Sequence, residues 1–147
     1  MNEPEHTGAS GADPASEKPG LFTAAAHTTA TGAAILYGSW AGFSNREHGT
    51  WVALEACLLQ GALSFLSTLT LVLVLEALFR QGGRALAGFL LATVGTISLM
   101  SAVMTTAHWV AGTPNLVTTI APSIVVGSVF FIAYAWRLLA AERNRRH

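Results

Sequence analysis

Four ionisable side chains stand inside otherwise apolar segments of the chain: His27, Glu55, Glu76 and His108. Burying a charge at the centre of a bilayer is costly, so an ionisable residue within a membrane-spanning segment is by default a candidate functional group. Imidazole and carboxyl groups in such a place can take up and release protons or bind a ligand. Each of the four also has a purely structural alternative.

The two carboxyl groups have structural explanations close at hand. Glu76 precedes Arg80 by four residues, so an i,i+4 ion pair near a membrane surface accounts for it. Glu55 falls on a helix side that continues through leucines, from which a carboxylate can reach the membrane surface. Alternatively, Glu55 joins Arg46 and His48 in an external binding rim, with His48 as a further candidate titrating group or ligand.

The two buried histidine candidates are predicted to lie at opposite depths. His108 ends a stripe of small and polar residues and should point between the helices near the outer surface. His27 also lies on a packing stripe, but about 9 Å from the cytoplasmic end of its helix at the usual helical rise. With one cysteine, Cys57, and no HxxxH or HExxH motif, we expect no metal and no cofactor. The structural alternative for both histidines is a neutral imidazole hydrogen-bonded to a neighbouring helix.

Four apolar segments must position these residues. Of the 147 residues, 52% are hydrophobic and only 11% charged, which is too apolar for an ordinary soluble domain. The longest uncharged stretch, 85–136, must fold back at Gly112-Thr113-Pro114-Asn115, where Thr113 can cap a following helix. The pattern predicts an all-α integral membrane four-helix bundle. Its spans lie at about 21–43, 52–79, 85–110 and 114–137.

The first predicted span is the least apolar, because it is rich in alanine and threonine. It gains little from lipid and should depend on packing against its neighbours. A cleaved signal peptide is the alternative interpretation of this segment. The preceding tail is acidic rather than positive, which argues against that alternative.

Positive charges predict the orientation. Only Arg46 falls outside if both termini are cytoplasmic, and the other positive residues then lie inside: Lys18, Arg80, Arg84, Arg137, Arg143, Arg145 and Arg146. An aromatic belt of Trp40, Trp51 and Trp109 marks the outer surface. We expect a multi-pass protein of the plasma (inner) membrane, with both termini in the cytoplasm.

Two tails flank the predicted spans. Residues 1–20 combine proline, glycine, serine and acids, which is typical of a disordered tail. Residues 138–147 form a short basic tail. We interpret it as a topology signal, with binding of anionic lipid headgroups as the alternative.

Small and hydroxyl-bearing residues recur at helical spacing and predict the faces along which the helices pack. On the third helix this stripe runs through Gly88, Ala92, Gly95, Ser98, Ala102, Thr105 and His108. Pro122 removes a backbone donor inside the fourth helix and predicts a kink, where Thr118, Thr119 and Ser123 can satisfy the freed groups. The predicted packing positions are Gly38, Gly42, Gly88, Gly95, Ser123 and Gly127.

The sequence holds much packing surface and no recognisable catalytic arrangement. Zero formal net charge and eight lysines plus arginines argue against nucleic-acid binding. We therefore expect a non-enzymatic membrane protein that acts in the lipid bilayer through helix–helix interaction, with itself or with another membrane protein. The alternative is a small proton-linked transporter or channel that works as a homodimer, with His108, Glu55 and His27 as its titrating groups.

Overall fold

The computed structural model describes the backbone of residues 19–145 and the side chains from residue 26 onwards. This part of the chain folds into four α-helices and one short 3-10 turn, Arg46–His48. The α-helices are α1 (Pro19–Ser44), α2 (Thr50–Gln81), α3 (Ala85–Val110) and α4 (Leu116–Asn144). The predicted all-helical fold class is confirmed.

The helix bounds differ from the predicted ones mainly in α4. It begins at Leu116 with Asn115 at its N-cap, so Thr113 does not cap it. It ends at Asn144, and most of the predicted 138–147 tail therefore continues the helix. The predicted disordered tail, 1–20, lies outside the described residues except for its last two, which begin α1.

Three of the described helices, α2, α3 and α4, are long and apolar enough to cross a membrane. These three support the prediction of a membrane protein. α1 is 26 residues long, which is sufficient length for a span, but it does not reach the same apolarity. The reason is its composition, since alanine, glycine and threonine replace most of the leucines and valines found in the others.

α2 and α4 each contact all the other helices, whereas α1 and α3 do not touch within the described part of the chain. The connections 45–49 and 111–115 lie at one end of the molecule, which we call the asparagine end because Asn45 and Asn115 are bonded there. Away from this end the interior is mainly apolar, and the hydroxyls of Thr93 and Thr96 on α3 are buried there without a hydrogen-bond partner among the described residues. Its core includes Leu71, Leu75, Met100, Phe131 and Ala135.

α1 approaches α2 closely through glycine. A Cβ added at Gly38 would lie 2.8 Å from the carbonyl oxygen of Cys57 and 3.3 Å from the Cα of Gly61. At Gly42 it would lie 3.2 Å from the Cβ of Cys57. The Gly38/Gly42 pair therefore faces α2, where the lack of side chains lets two backbones approach.

The other predicted packing glycines also lie against neighbouring helices. An added Cβ at Gly88 would collide with the carbonyl of Phe79. At Gly95 it would meet the end of the Leu78 side chain, and at Gly127 the end of Met100.

The buried face of α3 includes Gly88, Ala92 and His108 from the predicted stripe but departs from that stripe in the middle of the helix. Ser98, Ala102 and Thr105 are exposed, and the buried positions instead include Thr96, Met100 and Met104. The buried residues follow steps of four, a row that slants around the helix axis, whereas the predicted stripe alternated three and four. Because α3 packs between α2 and α4 along this slanted row, its small-residue side is left on the surface.

Pro122 lies inside α4 and cannot donate to the carbonyl oxygen of Thr118, its usual partner one turn earlier. In the structure, Nε1 of Trp40 on α1 donates a 2.9 Å hydrogen bond to that oxygen. The freed carbonyl is thus satisfied by another helix rather than by the nearby hydroxyls. The hydroxyl of Thr119 donates instead to the carbonyl of Asn115.

This arrangement predicts coupling between Trp40 and Pro122. Trp40→Phe should lower the free energy of unfolding by about 1 kcal/mol, because the Thr118 carbonyl loses its donor. In a Pro122→Ala background, the restored helical N–H replaces that donor, and the cost of Trp40→Phe should fall by about half or more. Denaturation in mixed micelles of the natural chain, the two single variants and the double variant measures the coupling. An equal loss of unfolding free energy from Trp40→Phe in both backgrounds would refute it.

Candidate functional site

A cluster of five polar side chains lies between α2, α3 and α4 near the asparagine end. We call Gln60, Ser64, His108, Thr113 and Ser123 the polar cluster. α2 contributes Gln60 and Ser64, the last turn of α3 contributes His108, and the second turn of α4 contributes Ser123. Gln60 and His108 are fully buried. The polar faces of three helices and one connection therefore meet at a single point inside the protein.

His108 is hydrogen-bonded on both sides of its ring. Its Nε2 lies 2.7 Å from Oε1 of Gln60, and its Nδ1 lies 2.9 Å from the hydroxyl of Thr113. An amide oxygen only accepts, so Nε2 carries the proton and the Thr113 hydroxyl donates to Nδ1. The partners fully satisfy a neutral imidazole. This is the geometry of the structural alternative, a histidine bonded to a neighbouring helix.

Gln60 links the imidazole to two serines. Its Nε2 lies 2.6 Å from Oγ of Ser123 and 3.4 Å from Oγ of Ser64. This amide orientation uses both N–H hydrogens, since each points to a hydroxyl oxygen. In the reverse orientation the amide nitrogen of Gln60 would face His108, whose Nε2 can accept only one N–H hydrogen. The other N–H would then have no acceptor. The two serine hydroxyls are therefore acceptors from Gln60.

A second group of polar side chains ties the end of α1 to the start of α4. Asn45 is fully buried, donates to the hydroxyl of Thr119 at 2.8 Å and accepts from the backbone N–H of Asn115 at 3.0 Å. Asn115 in turn donates to the carbonyl of Ser44 at 2.6 Å. Its side chain also lies 3.3 Å from Nε2 of His48. These bonds fix the two connections against each other.

The candidate binding rim of Arg46, His48 and Glu55 is not assembled by the described residues. Arg46 pairs with its neighbour Glu47 at 3.7 Å and lies over the ring of Phe43. Glu55 is exposed on α2, on a different side from the buried Gln60. His48 is exposed and bonded to Asn115 rather than to a charged partner.

His27 does not lie on the buried face of α1. It is exposed, and its ring lies beside that of Phe65 on α2, with centroids 6.4 Å apart. The buried positions of the described part of α1 are Ala30, Gly38 and Ala41. The buried face passes through Ala30 and not His27, because close approach to α2 favours the smallest side chains.

The predicted ion pair at the opposite end is confirmed. Arg80 and Glu76 approach to 3.2 Å. The hydroxyl of Tyr134 on α4 also donates to Glu76, at 2.7 Å. This third partner escaped the sequence argument because Tyr134 lies 58 residues further along the chain.

A groove of about 240 Å³ adjoins the polar cluster between α1 and α4. α1 and α4 are bonded at the asparagine end, and the groove lies beyond it. Ser64 and Ser123 belong both to the polar cluster and to the groove wall. Other lining residues are Ala33, Tyr37, Ser67, Met104, Phe130 and Phe131. Sequence reasoning missed this groove, because it arises from how two helices diverge and not from a motif.

No family model, curated protein or solved structure matches this chain. Its class therefore follows from the described geometry alone: an all-helical membrane protein with three apolar helices able to span a membrane and a buried, uncharged polar cluster.

Proposed function

We propose that this chain is a small four-span membrane protein that acts through helix–helix interaction, as an accessory subunit or a homo-oligomer, without catalysis. Its four helices form a bundle in the plasma (inner) membrane with both termini cytoplasmic. The observation that carries the proposal is the outward face of α1, where hydroxyl-bearing side chains and glycine stand among exposed apolar residues such as Ile35 and Leu36.

This outward face carries Thr31, Gly32 and Ser39, all of them exposed. α1 packs along α2 but does not touch α3 within the described residues. Hydroxyls and glycine gain little from lipid chains, and they favour close contact with another helix. A further helix laid against α1 would bury this face.

The charge distribution supports the proposed orientation. Trp51 and Trp109 are exposed at the asparagine end, as expected for an aromatic belt. Arg80, Arg84 and Arg143 lie at the opposite end, as expected for a cytoplasmic surface.

Gly32→Leu tests the interaction. An added Cβ at Gly32 meets no atom within 4 Å, so leucine fits the isolated chain and should instead obstruct a partner helix. Extraction in mild detergent, followed by mass spectrometry and stoichiometry, should show a defined complex for the natural chain. We expect at least a ten-fold loss of that complex for Gly32→Leu.

Ala133→Leu is the matched control, because Ala133 is exposed on α4 among the exposed apolar residues Val129, Ile132 and Trp136, a face that suits lipid. The complex should survive this substitution. A natural chain that purifies as a partnerless monomer would refute the proposed function, and so would equal losses in the two variants.

A proton-linked transporter or channel has less support from the geometry. His108 lies near the asparagine end, and the interior beyond the polar cluster is lined by the apolar core that includes Leu75 and Phe131. A proton path within one subunit would have to cross that core, and Glu55 and His27 lie on the surface. A pH-dependent flux in proteoliposomes that His108→Ala abolishes would favour this second function.

A further inference from the structure

We propose that the groove between α1 and α4 binds a flat, neutral carbonyl compound dissolved in the bilayer. The groove holds about 240 Å³, enough for a substituted six-membered ring. Val126 and Phe130 on its wall are exposed on the protein surface. A ligand can therefore enter sideways from the lipid.

Two serine hydroxyls of the polar cluster each keep a hydrogen that can be donated into the groove. Ser64 and Ser123 are buried and line the groove, and both accept a hydrogen bond from Nε2 of Gln60. Neither hydroxyl donates to another described atom. Since a hydroxyl has one hydrogen to donate, both hydrogens remain available to an acceptor in the groove.

Two further hydroxyls on the wall strengthen this pattern. Tyr37 of α1 and Ser67 of α2 line the groove, and neither makes a hydrogen bond to a described residue. Groups of this kind are costly against hydrocarbon unless they find a partner. Four residues with a potential donor hydroxyl thus border one otherwise apolar groove, so its ligand should present acceptor oxygens.

The other residues that line the groove determine the charge and the shape of a ligand that fits there. No charged side chain is among the described residues of the wall, which excludes a charged ligand on desolvation grounds. The rings of Phe130 and Phe131 and the flexible side chains of Met100 and Met104 offer surfaces that suit a flat apolar body. A neutral ring bearing carbonyl oxygens meets both requirements.

The depth of the groove distinguishes a dissolved small molecule from an ordinary lipid. Ser123 lies seven residues beyond the first residue of α4, Leu116, which is about 10 Å at helical rise. The ester carbonyls of phospholipids stay near the headgroups, at the edge of the hydrocarbon layer. Only a carbonyl compound free to move within the hydrocarbon reaches these hydroxyls.

The test uses the full chain in nanodiscs of ether-linked lipids, which contain no ester carbonyls. The probe is a benzoquinone with one short prenyl tail, and its control is the same tail on a benzene ring without carbonyls. The quinone should raise the unfolding midpoint saturably, by about 5 °C or more at a hundred-fold excess over Kd. The carbonyl-free control should not. No saturable rise, or an equal rise with both compounds, overturns the proposal.

Variants locate the site. The double variant Tyr37→Phe, Ser67→Ala should weaken quinone binding by about ten-fold or more, because two donors are lost. Ala33→Phe, which fills the groove from α1, should abolish it. Tyr134→Phe is the control, since it removes a phenol bonded to Glu76 outside the groove. Unchanged affinity in the double variant overturns the site even if Ala33→Phe fails to fold.

Discussion

Replacing Gln60 by leucine is expected to lower the free energy of unfolding by about 2 kcal/mol, although leucine is the better residue for lipid and for a hydrophobic core. Gln60 is the central member of the polar cluster and bonds His108 on one side and Ser123 on the other. Leucine would leave the imidazole N–H and the hydroxyls of Ser64 and Ser123 buried without that partner, which costs more than the added apolar contact returns.

Denaturation in mixed micelles, followed by far-ultraviolet circular dichroism, measures this loss. Gln81→Leu is the control, because Gln81 is exposed at the last position of α2, and its effect should stay within about 0.5 kcal/mol. A stabilised Gln60→Leu protein would show that the polar cluster is a cost retained for another purpose.

Gly38→Ala is the second substitution with a large expected effect, a loss of about 2 kcal/mol or more. The new methyl group would stand 2.8 Å from the carbonyl oxygen of Cys57. Because that oxygen belongs to the α2 backbone, it cannot rotate away, and α1 must move outward. The lost close contact between the helices is the main cause of the instability.

The same substitution at Gly32 supplies an internal comparison on the same helix. No atom lies within 4 Å of an added Cβ there, so Gly32→Ala should stabilise the protein by about 0.5 kcal/mol through helix propensity. The two variants should thus change the unfolding free energy in opposite directions. A Gly38→Ala protein as stable as the natural chain would contradict the close approach at Gly38.

The helices could be predicted from the sequence because charged residues, glycine and proline mark their ends. Ala85–Val110 agrees with the predicted third span, since Arg84 precedes it and Gly112, with a positive φ of 68°, follows it. The end of α4 was missed for a physical reason. The charges after Trp136 limit the apolar span, but the residues that carry them are good helix formers, and α4 continues beyond that span.

The partners within the polar cluster could not be predicted. The sequence placed His108 on a polar helix face, but its partner Gln60 is 48 residues away, and their contact depends on how far α3 is shifted along α2. The spacing of apolar residues indicates which side of a helix faces inward, but it does not determine how far one helix is shifted along another. The hydrogen bond from Trp40 to the carbonyl of Thr118, which Pro122 leaves without its helical donor, could not be predicted either. A tryptophan at the membrane surface and a proline inside a helix each have a sufficient explanation of their own.

The close contact between α1 and α2 also bears on how the chain is made. α1 leaves the ribosome before α2 and is too poor in large apolar side chains to partition strongly into lipid alone. Its glycines meet α2 at Cys57 and Gly61, and only the short 45–49 connection separates the two helices. We therefore expect α1 to enter the bilayer as half of a helical hairpin, delayed until α2 has been synthesised, so that the second helix acts as the insertion signal for the first.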